Sequence, residues 1–383
     1  QTADSVAEYF MLEQRCPGLC TSRPETAARL DANFAQAKKL ELLPFTREAI
    51  ETYYGDWLQS SQLAHFQEEL LAIPMIARMI VQLLSADPNR MQHINTRGLL
   101  YRAFVNEILT RDEDKQKLEA NHIRPQQVVN LLKYISFEAL KRNHLGQIPL
   151  DDFEDLLSAY QKTKIDIDHL LKLQLFTELV EAGSTSYQFR HRSFQEYFAA
   201  EVLYKRMNMH GMDSVKPFLF HPYWKQSILF LSSLFDPEKI NSLLDIIVNP
   251  SRFLSQNSTI YLKNISENLN FASLCAGENP LDYPLKKILI KKITQIGYTI
   301  PFLKNLKCDS ANETLKNALK SNSSFVRAIA ADILGDIKYT PSINFLCDNL
   351  QDYDSFVRWR SAISLGKMKS EKTALPLYGL LTD

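Results

Sequence analysis

Two stretches near the C-terminus, SFVRAIAADILG from Ser324 to Gly335 and SFVRWRSAISLG from Ser355 to Gly366, repeat with an offset of 31 residues between Arg327 and Arg358. Val326, Ile329 and Ile333 in the first copy, and Val357, Ala362 and Leu365 in the second, fall on or near one helical face. A glycine closes each copy and predicts a helix C-cap, because glycine adopts the left-handed backbone at low cost. One helix pair of this length cannot bury its apolar face alone, so the units must stack, and a stack of such pairs is an α-solenoid.

This pattern resembles HEAT repeats of a short kind, over about Asn312 to Asp383. The resemblance implies that Arg327 and Arg358 pair with an acidic residue of an adjacent turn, Asp354 or Asp352, in a structural role rather than a ligand-binding one. No polar capping helix is evident at Leu380-Leu-Thr-Asp383, and the array is expected to continue beyond it.

The rest of the chain also reads as mostly α. Its 383 residues call for two to four units, and 11 glycines with few Asn-Gly or Asp-Gly turns leave little provision for hairpins. Lys+Arg and Asp+Glu balance at 44 each, which removes the bulk attraction for nucleic acid or anionic membrane. Cys16, Cys20, Cys275, Cys308 and Cys347 show no metal-ligand spacing and read as reduced thiols of a cytoplasmic protein. The longest apolar run, Leu70 to Leu84, is too short for a bilayer span and carries Arg78.

Five segments are marked by changes of pattern. Residues 1–44 hold two strand candidates, around Gly18 to Pro24 and Leu40 to Leu43, and look like the tail of an α/β domain. Residues 45–115 form a helical block, with a helix start at Thr46-Arg47-Glu48, Pro74 near another start, and amphipathic Arg97 to Leu109. In 116–203 a short helix at Asp166 to Leu173, a hairpin of Leu175 to Val180 with Tyr187 to His191, and a closing helix make a winged-helix signature. Residues 204–304 read as irregular helical repeats, including an apolar helix at Trp224 to Phe235 stopped by Asp236-Pro237. Residues 305–383 are the clear repeats.

The order of these features resembles a bacterial NACHT protein, one of the STAND-class signal-transduction ATPases related to NOD-like receptors. The residues that carry the resemblance are Thr21-Ser-Arg-Pro24, Leu40 to Ile50, Leu71-Ala-Ile-Pro-Met75, FRHRSFQEYFAA from Phe189 to Ala200, and the repeats. The family's P-loop, G-x-x-x-x-G-K-[ST], is absent here: Gly366-Lys367 is followed by Met368, and Ser361 stands where the first glycine belongs. No strand ending in acidic magnesium ligands precedes Thr21 either. Two explanations compete, a degenerate homologue and the C-terminal part of a longer protein; the second is favoured, and the chain is then expected not to hydrolyse ATP by itself, with Mg held by a preceding part.

Three residues carry over as ADP/ATP contacts. The resemblance implies that Arg23 faces the γ-phosphate, whereas its local pattern alone is an ordinary strand exit. It implies that Pro74 packs on the adenine, and locally Pro74 is a first-turn proline; both can hold. It implies that His191 contacts the ADP β-phosphate, against the bland alternative of a hydrogen-bonded core histidine. Alternation places His191 with core-facing Tyr187 and Phe189, and Ser193-x-x-Glu196 predicts a capping box opening the next helix. Arg190 and Arg192, on the other face, could meet acidic partners or phosphate but read better as solvated charges.

The implied function is a switch in bacterial signalling or antiphage defence. ADP holds a closed monomer, a protein partner or trigger on the repeats opens it, and ATP favours a homo-oligomer. The alternative is a HEAT-repeat scaffold without a nucleotide. A winged-helix DNA binder ranks third, because no basic recognition helix stands out.

Overall fold

The computed structural model describes residues 45–55, 71–87, 91, 93–110, 123–160, 165, 170, 171, 175–181, 184–249, 265–279, 284–295 and 299–379. Its architecture is mainly α-helical. Residues 1–44, with Arg23 and both strand candidates, lie outside the described residues.

Helix α1 (Arg47–Tyr54) starts as the sequence predicts, with the Thr46 hydroxyl accepting from the Ala49 amide at 3.2 Å. Helix α2 (Pro74–Ala86) carries Pro74 at its first position, where the missing N–H breaks no helix bond, and buries Ile76, Met79, Ile80, Leu83 and Leu84. Helix α3 (Arg97–Thr110) buries Leu100, Phe104 and Ile108, as their spacing requires. It is not one-sided, however, because Tyr101, Val105 and Leu109 are buried too. Neighbours cover several of its sides, and Gly98 explains one of them: its amide donates to Ser233 Oγ at 3.0 Å, and a Cβ there would lie 2.5 Å from the same oxygen.

Helix α4 (Pro125–Lys141) leads to strand β1 (Gln147–Pro149), helix α5 (Leu150–Ala159), and the hairpin of β2 (Phe176–Glu181) with β3 (Ser184–Phe189). The hairpin falls where the alternating residues predict it. Its second strand ends at Phe189 instead of His191, and β1 adds a third strand, giving the antiparallel order β1-β3-β2. The expected helix at Asp166 to Leu173 lies mostly outside the described residues.

Helix α6 (Arg192–His210) comes directly after β3 and is buried along most of its first half, including the polar Gln195 and Glu196. Buried Gln195 stays satisfied by bridging the chain before β1: it accepts from the Gly146 amide at 2.9 Å and donates to the His144 carbonyl at 2.8 Å. Then come α7 (Lys225–Leu234), α8 (Pro237–Val248), α9 (Ile265–Gly277) and α10 (Pro284–Gln295). Asp236-Pro237 does end α7, but it also starts α8. The Asp236 carboxylate accepts from the Lys239 amide at 3.0 Å, with Pro237 in the first turn.

The C-terminal repeats consist of a 3-10 helix (Ile300–Leu306), α11 (Asp309–Ala318), α12 (Ser324–Asp336), α13 (Ile343–Asp348) between two short 3-10 turns, α14 (Ser355–Met368) and α15 (Glu371–Gly379). Their register is visible in the backbone. Lys307, Lys338 and Lys369 all have left-handed φ, of 49°, 51° and 49°, and they stand 31 residues apart. The two glycines are therefore not C-caps, contrary to the expectation from sequence. Gly335 lies inside α12, where a Cβ would sit 2.6 Å from Ser364 Cβ and 2.7 Å from Ser364 Cα, so α12 and α14 approach too closely there for a side chain. Lysine takes the left-handed position instead, and the Tyr339 amide closes the turn on the Leu334 carbonyl at 3.0 Å.

Candidate functional site

Two of the three proposed nucleotide contacts, Pro74 and His191, lie on elements that meet at the Ser193 hydroxyl. His191 is the N-cap of α6: Nδ1 lies 3.3 Å from the Ser193 amide, which donates to it, and 2.6 Å from Ser193 Oγ. Ser193 is buried, and its hydroxyl accepts from Tyr101 at 2.7 Å and reaches Met75 Sδ at 3.9 Å. Met75 adjoins Pro74, so one hydroxyl gathers the first turn of α2, the middle of α3 and the histidine. Pro74 and His191 are both exposed.

Three local expectations are corrected here. His191 does not face the core with Tyr187 and Phe189, because the strand has ended and the chain has turned into the cap. Ser193 is not the cap of a capping box; it is a second-position residue whose hydroxyl is occupied by Tyr101 and His191. Glu196 does not reach back to the helix start but accepts from Arg192 Nε at 2.7 Å, so Arg192 is paired rather than solvated. Arg190 is exposed.

A half-buried ion cluster around the buried Glu201, which sequence reading missed, lies two turns further along α6. Glu201 accepts from Arg102 at 2.8 Å, from Lys133 at 3.1 Å and from the Tyr197 hydroxyl at 2.9 Å, which ties α3 and α4 to α6. Burial alone would push the Glu201 carboxyl up, but Lys133 and Arg102 beside it hold it below its ordinary value. The Tyr101 phenol is pushed up to about 12 by burial, against the opposing Ser193 hydrogen bond, and stays a neutral donor. The only prior signal for this cluster was a Glu in the middle of an apolar helix face.

Helix α3 joins this junction to α7 and to the end of α9. The Tyr101 ring lies 4.8 Å from that of Phe230 on α7, and Arg97 pairs with Glu278 at 2.9 Å while stacking 4.0 Å over Phe230.

In the repeats, Arg327 pairs with Asp352, one of the two acids expected for it, and both side chains are buried. Arg358 does not form the matching pair. Its Nη1 donates to the carbonyls of Asp352 and Tyr353 at 2.7 and 3.3 Å, and it meets no carboxylate among the described residues. Phe325, Tyr353, Phe356 and Trp359 leave large aromatic surfaces in solvent along the same units.

Among the described residues no group of three or more His, Cys, Asp or Glu is arranged to hold a metal ion. No helix among them is long and apolar enough to cross a membrane.

The fold thus defines a mainly helical protein whose C-terminal part is solenoid-like. Residues 302–383 match the family model for HEAT repeats. No curated protein matches the chain. HEAT repeats commonly serve as scaffolds for protein interactions, which is the functional class that this part of the chain defines.

Proposed function

We propose that this chain is the regulatory and sensor part of an ADP/ATP-switched signal-transduction ATPase, with the repeats holding a protein partner and the start of α6 responding to nucleotide. The supporting observation is the Ser193 hydroxyl. Through it the exposed first turn of α2, with Pro74, and the exposed His191 cap share one junction. A proline and an imidazole on the two elements that meet at this hydroxyl suit a purine and a phosphate. Helix α3 touches that junction through Tyr101 and the later helices through Arg97 and Gly98, so a shift at one end has a packed path to the other.

On this reading 45–115 acts as the helical domain, 116–203 as a winged helix, and residues 1–44, Arg23 among them, as the edge of a nucleotide domain completed elsewhere. The test is nucleotide content. The full-length gene product, purified without added nucleotide and then denatured, should release about one ADP per chain, and His191→Ala should lose it. A product that carries no nucleotide and binds none would leave the second reading, a HEAT-repeat scaffold, which the exposed aromatics of the repeats favour independently.

A further inference from the structure

Three residues occupy the same place in three consecutive units, and all three are lysine. Lys307 comes after the 3-10 helix Ile300–Leu306, Lys338 after α12 and Lys369 after α14, each with left-handed φ. Glycine is the ordinary occupant of such a turn, because a Cβ there crowds the following carbonyl. Elsewhere among the described residues the only non-glycine with left-handed φ is Asn143, of a type that tolerates it. The helix dipole does not explain the row. A cation in the last helical turn meets that dipole without left-handed backbone, and Lys304 and Lys367 already stand in the last turns of the 3-10 helix and of α14. All three turn lysines are exposed, and none meets a carboxylate among the described residues. Lys338 is exposed with a packed unit on each side, the 3-10 helix before it and α14 after it, so a further unit lengthens the row instead of covering it.

We propose that this lysine row is a binding edge for an extended acidic segment of a protein partner, with one carboxylate at each unit. The proposal rests on the reading of the repeats as a protein-interaction surface and gives the partner its chemistry. Helix α12 packs directly against both the 3-10 helix and α14. Packed neighbours lie about 8–10 Å apart, and three residues of extended chain span about 10 Å, so acidic side chains at every third position fall in step with the row. Nearby acids that would compete are engaged. Asp336 pairs with Lys367 at 2.6 Å, and Glu313 pairs with Lys316 at 2.6 Å and accepts from the Tyr339 hydroxyl at 2.6 Å. Among the described side chains of these turns that leaves Asp309, in the first turn of α11, against the exposed Lys304 and Lys372 in addition to the row itself. Nucleic acid is the poorer occupant, because Lys+Arg and Asp+Glu balance at 44 each and the chain lacks the long-range field that gathers a polyanion.

The probe is a dye-labelled peptide with capped ends, Glu-Ser-Thr-Glu-Ser-Thr-Glu, titrated with the full-length gene product and followed by fluorescence anisotropy. In about 20 mM salt it should bind with a Kd below about 1 mM, and about 300 mM salt should weaken it about tenfold. A peptide of the same composition with its acids adjacent, Ser-Thr-Glu-Glu-Glu-Ser-Thr, should bind about threefold more weakly or worse, because it cannot reach all three lysines at once. Lys307→Gly, Lys338→Gly and Lys369→Gly together should abolish binding and keep the melting temperature, since glycine suits the turn; Asn at the same three positions, neutral and tolerant of left-handed φ, should do the same. Unaltered binding in either triple variant, or equal binding of the two peptides, overturns the proposal. A melting temperature that falls in both triple variants overturns it as well, because the lysines would then serve the helix ends. A thymidine tetranucleotide, with three phosphates, that binds more tightly than the spaced peptide overturns it in favour of nucleic acid. Bound ADP is measured separately on the same preparation, so failure here leaves the nucleotide reading standing.

Discussion

Arg327 donates from Nε and Nη2 to the two carboxylate oxygens of Asp352, at 2.7 and 2.8 Å, and from Nη1 to the Ser321 carbonyl at 2.7 Å. The pair joins consecutive repeat units across 25 positions, with each side chain more than nine-tenths buried. Its geometry is bidentate, which only a planar guanidinium offers.

Removing one partner leaves a buried charge without its mate. Arg327→Ala should cost about 3 kcal/mol of repeat stability, whereas Arg358→Ala, on an open face, should cost well under half of that. Thermal or urea unfolding of the two variants makes the comparison. Equal losses would mean that the pair contributes no more than the carbonyl bonds.

The same pair sets an acid limit. The Arg327 hydrogen bonds hold the Asp352 carboxyl below its ordinary value. A depressed carboxyl contributes stability that is fully present above its unfolded value, about 4, and is lost as pH falls through the folded value. The repeats should therefore weaken progressively below about pH 4, and Asp352→Asn should flatten that limb while lowering stability at neutral pH.

Glycine substitutions should differ in sign. Gly366→Ala adds a Cβ to open space in a helix interior and should stabilise by about 0.5–1 kcal/mol. Gly335→Ala drives a Cβ into the Ser364 backbone and should destabilise by about 1–3 kcal/mol. A shared C-cap role would have made both losses.

At the junction, Tyr101→Phe removes the donor to Ser193 and should cost about 1 kcal/mol. Glu201→Gln strands Arg102 and Lys133 and should cost about 1–2 kcal/mol, with a smaller loss on acidification than the parent shows, because the parent's Glu201 is also held low. Unfolding monitored by circular dichroism between about pH 3 and pH 7 would show both effects.

Much of the local structure was legible. Thr46 and Pro74 mark helix starts by chemistry that acts within one turn, and the β2-β3 hairpin is set by alternation, whereas Asp236-Pro237 reads from sequence as a helix stop and its second role as the cap of α8 does not show there. His191 was misplaced for a local reason as well: two residues of strand alternation were extended past Phe189, where the backbone had already turned to cap α6. Pro74 and His191 were each legible as candidates, but that they share Ser193 was not, since Met75 and Ser193 are 118 positions apart.

The repeat offset determined, from sequence alone, that the C-terminal part stacks helix pairs, because periodic apolar faces of that length have no other way to leave water. The tertiary structure decided what each repeated residue does. Gly335 and Gly366, or Arg327 and Arg358, are identical in sequence pattern and differ in surroundings because, among the described residues, a further unit covers one and not the other. Close packing and charge pairing depend on what arrives from across the interface, and that is not written in the residue or in its neighbours.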